Sequence, residues 1–159
     1  DLQEITFITG NSEGEEFIQL AKELELLATP GSLEDIENYD VIICHTNSKT
    51  PVLTKEMTEK IKDGAVITTF SSEDFTEVDT EFFNSDNANI IIDWEQTISE
   101  SPELKLSVKE GRAKQEDILQ LKSVLKDGFN NDKKYTIYRS HGTPMQNLGA
   151  MKLLMEREK

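Results

Sequence analysis

The chain alternates short apolar blocks with polar segments in which apolar residues recur at helical spacing. The strongest apolar blocks are residues 41–43, 65–67 and 90–92. Short, nearly continuous apolar runs are typical of parallel strands that are covered on both faces. We therefore predict buried strands at these positions, and we expect the run at 40–45 to lie at the centre of the sheet.

Strands and helices are predicted to alternate along most of the sequence. The predicted strands are residues 4–9, 26–29, 40–45, 65–70, 89–93 and 135–140. The predicted helices are residues 12–24, 32–39, 54–62, 79–83 and 114–126, and a last helix capped by Thr143. Such alternation implies parallel pairing through right-handed crossovers. The predicted fold class is therefore α/β, a Rossmann-like, doubly wound, three-layer α/β/α sheet.

The helical spacing also predicts which side chains are buried. The residues expected to face the core are Phe17, Leu20, Ala21 and Leu24 in the first helix, Ile118, Leu121 and Leu125 in residues 114–126, and Leu148, Met151 and Met155 in the last helix.

Size and charge narrow the classes of function. A chain of 159 residues fits one domain. Its formal net charge of −14 opposes an extended contact with nucleic acid or with an anionic membrane. No apolar stretch approaches the roughly 20 residues that span a bilayer, and the start does not read as a signal peptide. We therefore expect a cytoplasmic protein.

Candidate chemistry is concentrated in the loops that follow the predicted strands, because open α/β sheets bind ligands beyond the carboxyl ends of their strands. Four such loops are polar, at residues 9–12, 46–49, 71–74 and 140–143. Their hydroxyls and amides suit a sugar–phosphate ligand. The same residue types also fill loops and helix caps for local reasons, so polarity alone leaves both interpretations open.

Several single residues allow a functional and a structural interpretation. His141 is either a ligand contact or an exposed loop residue, and Arg139 is either a phosphate contact or paired on the surface. His45 beside Cys44 is weak support for a metal site, since no second pair stands at ligand spacing, and Cys44 fits a small buried residue better. The acidic residues Glu73, Asp74, Glu77 and Asp79 fit a solvated helix start better than a general base.

Five segments, in order along the chain, resemble the ornithine cyclodeaminase/mu-crystallin family. They are residues 40–53 (DVIICHTNSKTPVL), 63–66 with 76–79 (DGAV and TEVD), 90–93 (IIID), 118–128 (ILQLKSVLKDG) and 135–147 (YTIYRSHGTPMQN). Together they span most of the chain.

The resemblance implies binding of NAD or NADP and hydride transfer to or from an amino or imino acid. It implies that Thr46, Asn47 and Ser48 lie near the ribose and nicotinamide, and that Ser140, His141 and Gly142 lie at the carboxamide. By the same resemblance, the turn containing Thr9, Asn11 and Ser12 lies at the adenosine ribose, and Ser71 lies beneath the nicotinamide. That turn has neither the acidic residue that favours NAD nor the arginine that favours NADP.

Two departures from the family pattern modify this expectation. The sequence contains no G-x-G-x-x-G, so the family's glycine-rich loop would belong to a strand before residue 1. Serines stand at 71 and 72, where cyclodeaminases carry an aspartate. We therefore expect a domain of a longer protein, without catalytic activity on its own, and a homodimer. Direct pairing across the gap, strand exchange or dimerisation would satisfy its open sheet edges. The alternative is a non-enzymatic binding or protein-interaction module on the same scaffold.

Overall fold

The computed structural model describes residues 4–8, 14–70, 76–142 and 144–157. The chain divides into two compact units, Asp1–Asn38 and Tyr39–Lys159. Every pair of neighbouring strands in the two units is parallel, so the predicted α/β class is confirmed.

The first unit contains a two-stranded parallel sheet and one α-helix. Strand β1 (Ile5–Phe7) pairs with β2 (Ala28–Pro30), helix α1 (Gly14–Glu23) lies between them in the chain, and a 3-10 helix follows at Leu33–Asn38. Ala21 is buried, as predicted, and the ring of Phe17 stacks on Phe7 at 4.1 Å between centroids.

The predicted buried stripe of α1 is wrong at two of its positions, since Leu20 and Leu24 are exposed. Two strands of three residues each offer too narrow a surface to cover a complete helix face. The predicted cap residue Ser12 lies outside the described residues.

The second unit contains a five-stranded sheet with the order β3-β4-β7-β5-β6. Its strands are β3 (Val41–Cys44), β4 (Val66–Thr69), β5 (Ala88–Ile92), β6 (Leu119–Gln120) and β7 (Tyr135–Arg139). Its helices are α2 (Thr97–Glu100), α3 (Pro102–Lys109), α4 (Leu121–Asp127) and α5 (Pro144–Arg157), with 3-10 helices at Lys55–Glu59, Thr80–Phe83 and Gln115–Asp117.

The core of this unit lies against one face of the sheet. Ile42, Ile67, Ile137 and Ile90 share one register across four strands, and the last three are almost completely buried. On this side lie the 3-10 helix at Thr80–Phe83 and α3, which contact each other. The core side chains that these two helices contribute are Phe82, Phe83 and Leu104.

The expectation that residues 40–45 form the central strand is wrong. β3 is the outermost strand, with β4 as its only partner among the described residues, and the centre is occupied by β7. Val41 and Ile43 are exposed, Ile43 by 69%, while Cys44 on the opposite face of the same strand is buried. The apolar run indicated the strand correctly, but strand order depends on pairing between distant segments.

The predicted helix at 114–126 is also wrong in its first half. Residues Leu119–Gln120 instead form β6 and pair with Ile91 and Ile92 of β5, and the helix begins only at Leu121. Pairing with a fully buried strand outweighs the local helical spacing, and it leaves Leu125 78% exposed. Helix α3, which was not predicted, begins with Pro102 and is capped by Ser101, whose hydroxyl accepts from the Leu104 amide.

The last helix forms as predicted, but its expected buried side is wrong. Leu148, Met151 and Met155 are exposed, and so are Leu153 and Leu154. Apolar residues therefore occupy several sides of α5, and within the described part of the chain these five remain uncovered. The cap residue Thr143 lies outside the described residues. No helix in the described ranges is long and apolar enough to cross a membrane.

Candidate functional site

The polar loops at 46–49 and 140–142 lie at the carboxyl end of the sheet in the second unit. The four strands β3, β4, β7 and β5 end in one register, at Cys44, Thr69, Arg139 and Ile92. Because the strands are parallel, the residues that follow these ends form a common rim. Neighbouring strands are spaced by about 4.8 Å, so the loops after β3 and β7 start roughly 10 Å apart.

The loop after β3 is a turn held by its own side chains and by the segment at 76–79. The Ser48 amide donates to the Thr46 hydroxyl at 3.4 Å, and the Ser48 hydroxyl donates to the Thr50 carbonyl at 2.6 Å. The Thr76 amide donates to the Ser48 carbonyl at 2.9 Å. Asn47 is exposed at the tip, so its amide is accessible to a ligand.

The loop after β7 is organised by Asp93, which directly follows β5. One carboxylate oxygen of Asp93 accepts from the Ser140 hydroxyl at 2.9 Å and from the amides of His141 and Gly142, each at 3.1 Å. The other oxygen accepts from the Thr97 hydroxyl and from the Trp94 amide. Gly142 adopts φ 76°, a left-handed conformation that favours glycine.

Burial and these contacts determine the direction in which the pKa values of Asp93 and His141 shift. Burial alone would raise the pKa of Asp93, but hydrogen bonds from Thr97, Ser140 and the His141 amide outweigh it, and the pKa is lowered. Asp93 is therefore a carboxylate at neutral pH. Burial, with the nearby charge of Arg139 second, lowers the pKa of His141, which keeps its ring neutral at pH 7.

His141 also presents a polar atom that has no protein partner. Its Nε2 is buried, and no hydrogen-bond partner for it exists among the residues that the structure describes. Buried polar atoms are almost always satisfied by protein, water or ligand. The unpaired Nε2 thus marks the loop at 140–142 as a candidate contact for a bound molecule.

A buried group of charges lies at the same end of the sheet. Glu77 and Arg139 are fully buried, with the Arg139 Nη1 and a Glu77 oxygen 3.8 Å apart. Arg139 also lies 3.4 Å from Glu103 and donates from Nε to the Ser101 hydroxyl at 3.0 Å. The interpretation of Arg139 as a surface-paired residue is therefore wrong, and so is the expectation that Glu77 belongs to a solvated helix start. Alternation along β7 identifies the face of Arg139 but not whether α3 covers it.

The predicted site residues divide into two groups. Thr46, Asn47, Ser48, Ser140, His141 and Gly142 lie on the rim of one sheet. Thr9, Asn11, Ser12 and Ser71 lie outside the described residues. Their assignment to a cofactor stays a prediction.

Sequence reasoning missed two organising residues, Asp93 and Glu77. A charged residue directly after a fully apolar run, as Asp93 after residues 90–92, was a usable signal. For Glu77 the only local signal of burial is that the apolar residue Val78 directly follows it. Cys44 is buried, as predicted, and burial raises its pKa to about 12. No group of three or more potential metal ligands occurs within the described ranges.

Comparison with known proteins gives one family. The sequence model of the ornithine cyclodeaminase/mu-crystallin family matches residues 4–159. No curated protein sequence matches the chain.

Solved structures resemble the chain in fold. Iminosuccinate reductase of Paracoccus denitrificans, in complex with NAD+, superimposes with a TM-score of 0.81 at 20% identity, over 97% of this chain and 48% of its own. An archaeal alanine dehydrogenase dimer with bound NAD gives 0.76 at 22%, over 98% and 49%. Δ1-Pyrroline-2-carboxylate reductase of Thermococcus litoralis, with NADH and L-proline, gives 0.74 at 21%, over 88% and 45%. The fold is thus Rossmann-like, and the chain spans about half the length of these proteins.

Proposed function

Since the chain belongs to the ornithine cyclodeaminase/mu-crystallin family, we propose that it is the nicotinamide-dinucleotide-binding domain of an oxidoreductase that acts on amino or imino acids. The observation that carries this proposal is the shared rim. Two polar loops, at 46–48 and 140–142, follow parallel strands of one sheet at the end where such sheets bind ligands. The structures that resemble the chain contain NAD+, NADH or NAD, which supports the cofactor class.

The loop at 140–142 is assigned to the nicotinamide carboxamide. Asp93 fixes the Ser140 hydroxyl and the two following amides, so the loop is held before a ligand arrives. The neutral His141 ring then presents Nε2 as a hydrogen-bonding group without adding a positive charge beside the nicotinamide. Pre-formed loops bind more tightly because less conformational entropy is lost on binding.

The loop at 46–48 is assigned to the nicotinamide ribose. The Thr46 and Ser48 hydroxyls and the exposed Asn47 amide are uncharged groups that can exchange hydrogen bonds with sugar hydroxyls. A bound nicotinamide supplies or accepts the hydride in proteins of this kind. The residues of this rim bind and orient it, and none of them is assigned as a catalytic acid or base.

The substrate class, the homodimer and the cytoplasmic location also belong to this proposal. The similar structures include an iminosuccinate reductase, a proline complex and a dimer, and these are properties of those proteins. The substrate class that we propose, an amino or imino acid, agrees with these proteins and with the substrates that the family resemblance implies.

The alternative is a non-enzymatic binding or protein-interaction module. The observation that favours it is the outer strand β3, where Val41 and Ile43 are exposed beside an edge that lacks a partner among the described residues. Unprotected strand edges readily pair with another chain. Under this alternative the polar rim would bind no dinucleotide.

Calorimetric titration separates the two functions. NADH and NADPH would each be titrated into the chain and into two variants, His141→Ala on the rim and Leu125→Ala on the exposed side of α4. The proposal predicts saturable binding that weakens about tenfold in His141→Ala, the loss of one hydrogen bond to a ligand, and stays unchanged in the control. No heat at millimolar cofactor would rule out dinucleotide binding by this chain and favour the interaction module.

A further inference from the structure

We propose that Glu77 is a positioning residue of the rim, whose buried carboxylate fixes the backbone of the turn at 46–48. The assignment of that turn to a dinucleotide rests on the proposed function. The mechanical role of Glu77 rests on contacts within the described chain alone.

A single carboxylate joins the ends of two neighbouring strands. One oxygen of Glu77 accepts from the Thr46 amide, just beyond β3, at 2.7 Å. The other accepts from the Phe70 amide, just beyond β4, at 2.8 Å. Hydrogen bonds from amides to a carboxylate are shorter and stronger than those between neutral groups. Glu77 therefore sets the direction in which the backbone leaves each strand.

The backbone around Glu77 holds the far end of the same loop. The Glu77 carbonyl accepts from the amides of Val52 and Leu53, at 2.9 and 3.1 Å, and the Thr76 amide donates to the Ser48 carbonyl. The turn at 46–48 is thus held at its start by the Glu77 side chain and at its end by the backbone of the same short segment.

The charge of Glu77 is in turn held in place by buried partners. Arg139 lies 3.8 Å away, and Glu103 accepts from the Glu77 amide at 3.2 Å. Arginine keeps its proton in proteins, so it offsets the buried carboxylates although burial lowers its pKa. Removing one member of such a buried set leaves an uncompensated charge, whereas an apolar replacement of the whole set is often neutral for stability. The buried partners of Glu77 thus hold its carboxylate in one position.

Glu77→Gln tests the role with little change in shape. The amide retains one acceptor oxygen and replaces the other with a donor, so the amide of either Thr46 or Phe70 loses its acceptor. Ser107→Ala is the matched control. Ser107 is buried on α3, and its hydroxyl donates to the Thr80 carbonyl at 3.1 Å, so the change removes a buried hydrogen bond that is not part of the rim.

The primary measurement is hydrogen exchange, read by mass spectrometry on peptides covering 45–50, 68–70 and β5. Exchange is normalised to each variant's unfolding midpoint. In Glu77→Gln we expect exchange at 45–50 to rise about tenfold beyond what lower stability explains, with β5 unchanged. Ser107→Ala should leave exchange at 45–50 at its normalised wild-type level. We expect the NADH dissociation constant to rise about tenfold in Glu77→Gln and to stay unchanged in Ser107→Ala.

Equal normalised exchange at 45–50 in Glu77→Gln and Ser107→Ala would overturn the inference, because Glu77 would then be a general stabilising residue. Faster exchange at 45–50 with no NADH binding by the wild-type chain would support the positioning role and contradict the proposed function. Should Glu77→Gln not fold, Glu103→Gln provides the same comparison, since it weakens the contacts that hold Glu77. It should raise exchange at 45–50 by a smaller factor, and an unchanged value would overturn the inference.

Discussion

Replacing Asp93 by asparagine should release the loop at 140–142 and destabilise the second unit. Asp93 accepts five hydrogen bonds, including those from the Ser140 hydroxyl and the amides of His141 and Gly142. The Asp93→Asn side chain would keep one acceptor oxygen and lose the charge, so the donors on one side of the group lose their partner. A hydrogen bond to a charged group contributes about 1.5–3 kcal/mol, and partial exposure of Asp93 reduces this, so we expect a net loss of about 2 kcal/mol.

Urea unfolding followed by the fluorescence of Trp94 measures this loss. Trp94 is the only tryptophan and adjoins Asp93. With a slope of about 1–3 kcal/mol per molar urea, a loss of about 2 kcal/mol lowers the midpoint by roughly 1 M. Asp86→Asn is the control, since Asp86 is paired with Lys114 on the surface and such pairs contribute at most about 1 kcal/mol. A loss below about 0.5 kcal/mol for Asp93→Asn would refute the role given to Asp93.

The same comparison has a defined pH dependence. The pKa of Asp93 is lowered in the folded state from an ordinary value of 3.8. A group with a lowered pKa contributes its full stability above the unfolded value and loses it as the pH falls through the folded value. The difference between wild type and Asp93→Asn should therefore be constant from pH 7 to about 5 and shrink below about 3.8. A difference that grows in acid would contradict the sign of this reasoning.

Three further predictions concern single side chains of the second unit. Burial raises the pKa of Cys44 to about 12, so iodoacetamide at pH 8 should not label the native chain. Iodoacetamide should label Cys44 in urea, and rapid labelling of the native chain would contradict the burial of Cys44. Burial lowers the pKa of His141, so its ring should titrate below pH 6.5 by NMR. The free energy of unfolding should fall as the pH drops below 6.5, and an NMR midpoint above 6.5 would contradict the burial of the ring. Leu104→Ala should cost about 2–5 kcal/mol and Leu125→Ala less than about 0.5 kcal/mol in urea unfolding, and equal losses would contradict the described core.

Strand β5 was predictable because burial on both faces leaves a direct record in the sequence. Residues 90–92 are continuously apolar, and β5 is buried along its whole length. The position of β3 was not predictable in the same way, because its apolar run at 41–43 resembles that of a central strand. Strand order is decided by contacts between segments far apart in the chain, and the local pattern does not contain them.

Local periodicity failed where tertiary pairing was stronger. Residues 118–125 have helical spacing, yet the first part of that segment pairs with β5 as β6. Helix α5 formed as its spacing predicted, but its apolar residues are exposed. Spacing identifies a helix face and does not show whether another segment covers that face.

The position of the candidate site was predictable from the sequence, but the contacts that hold its loops were not. Polar residues after the strands identified the loops at 46–48 and 140–142. The carboxylates that hold these loops, Asp93 and Glu77, contact them across 47 and 31 residues of sequence, respectively, and no local pattern relates such distant positions.

NMR mapping of NADH binding to the isotope-labelled chain tests whether a nicotinamide dinucleotide binds along the rim of the five-stranded sheet. We expect saturable shifts of the amides at 46–48 and at 140–142, with the amides of α4 unchanged. Saturable shifts confined to other surfaces, or no shifts at millimolar NADH, would contradict it.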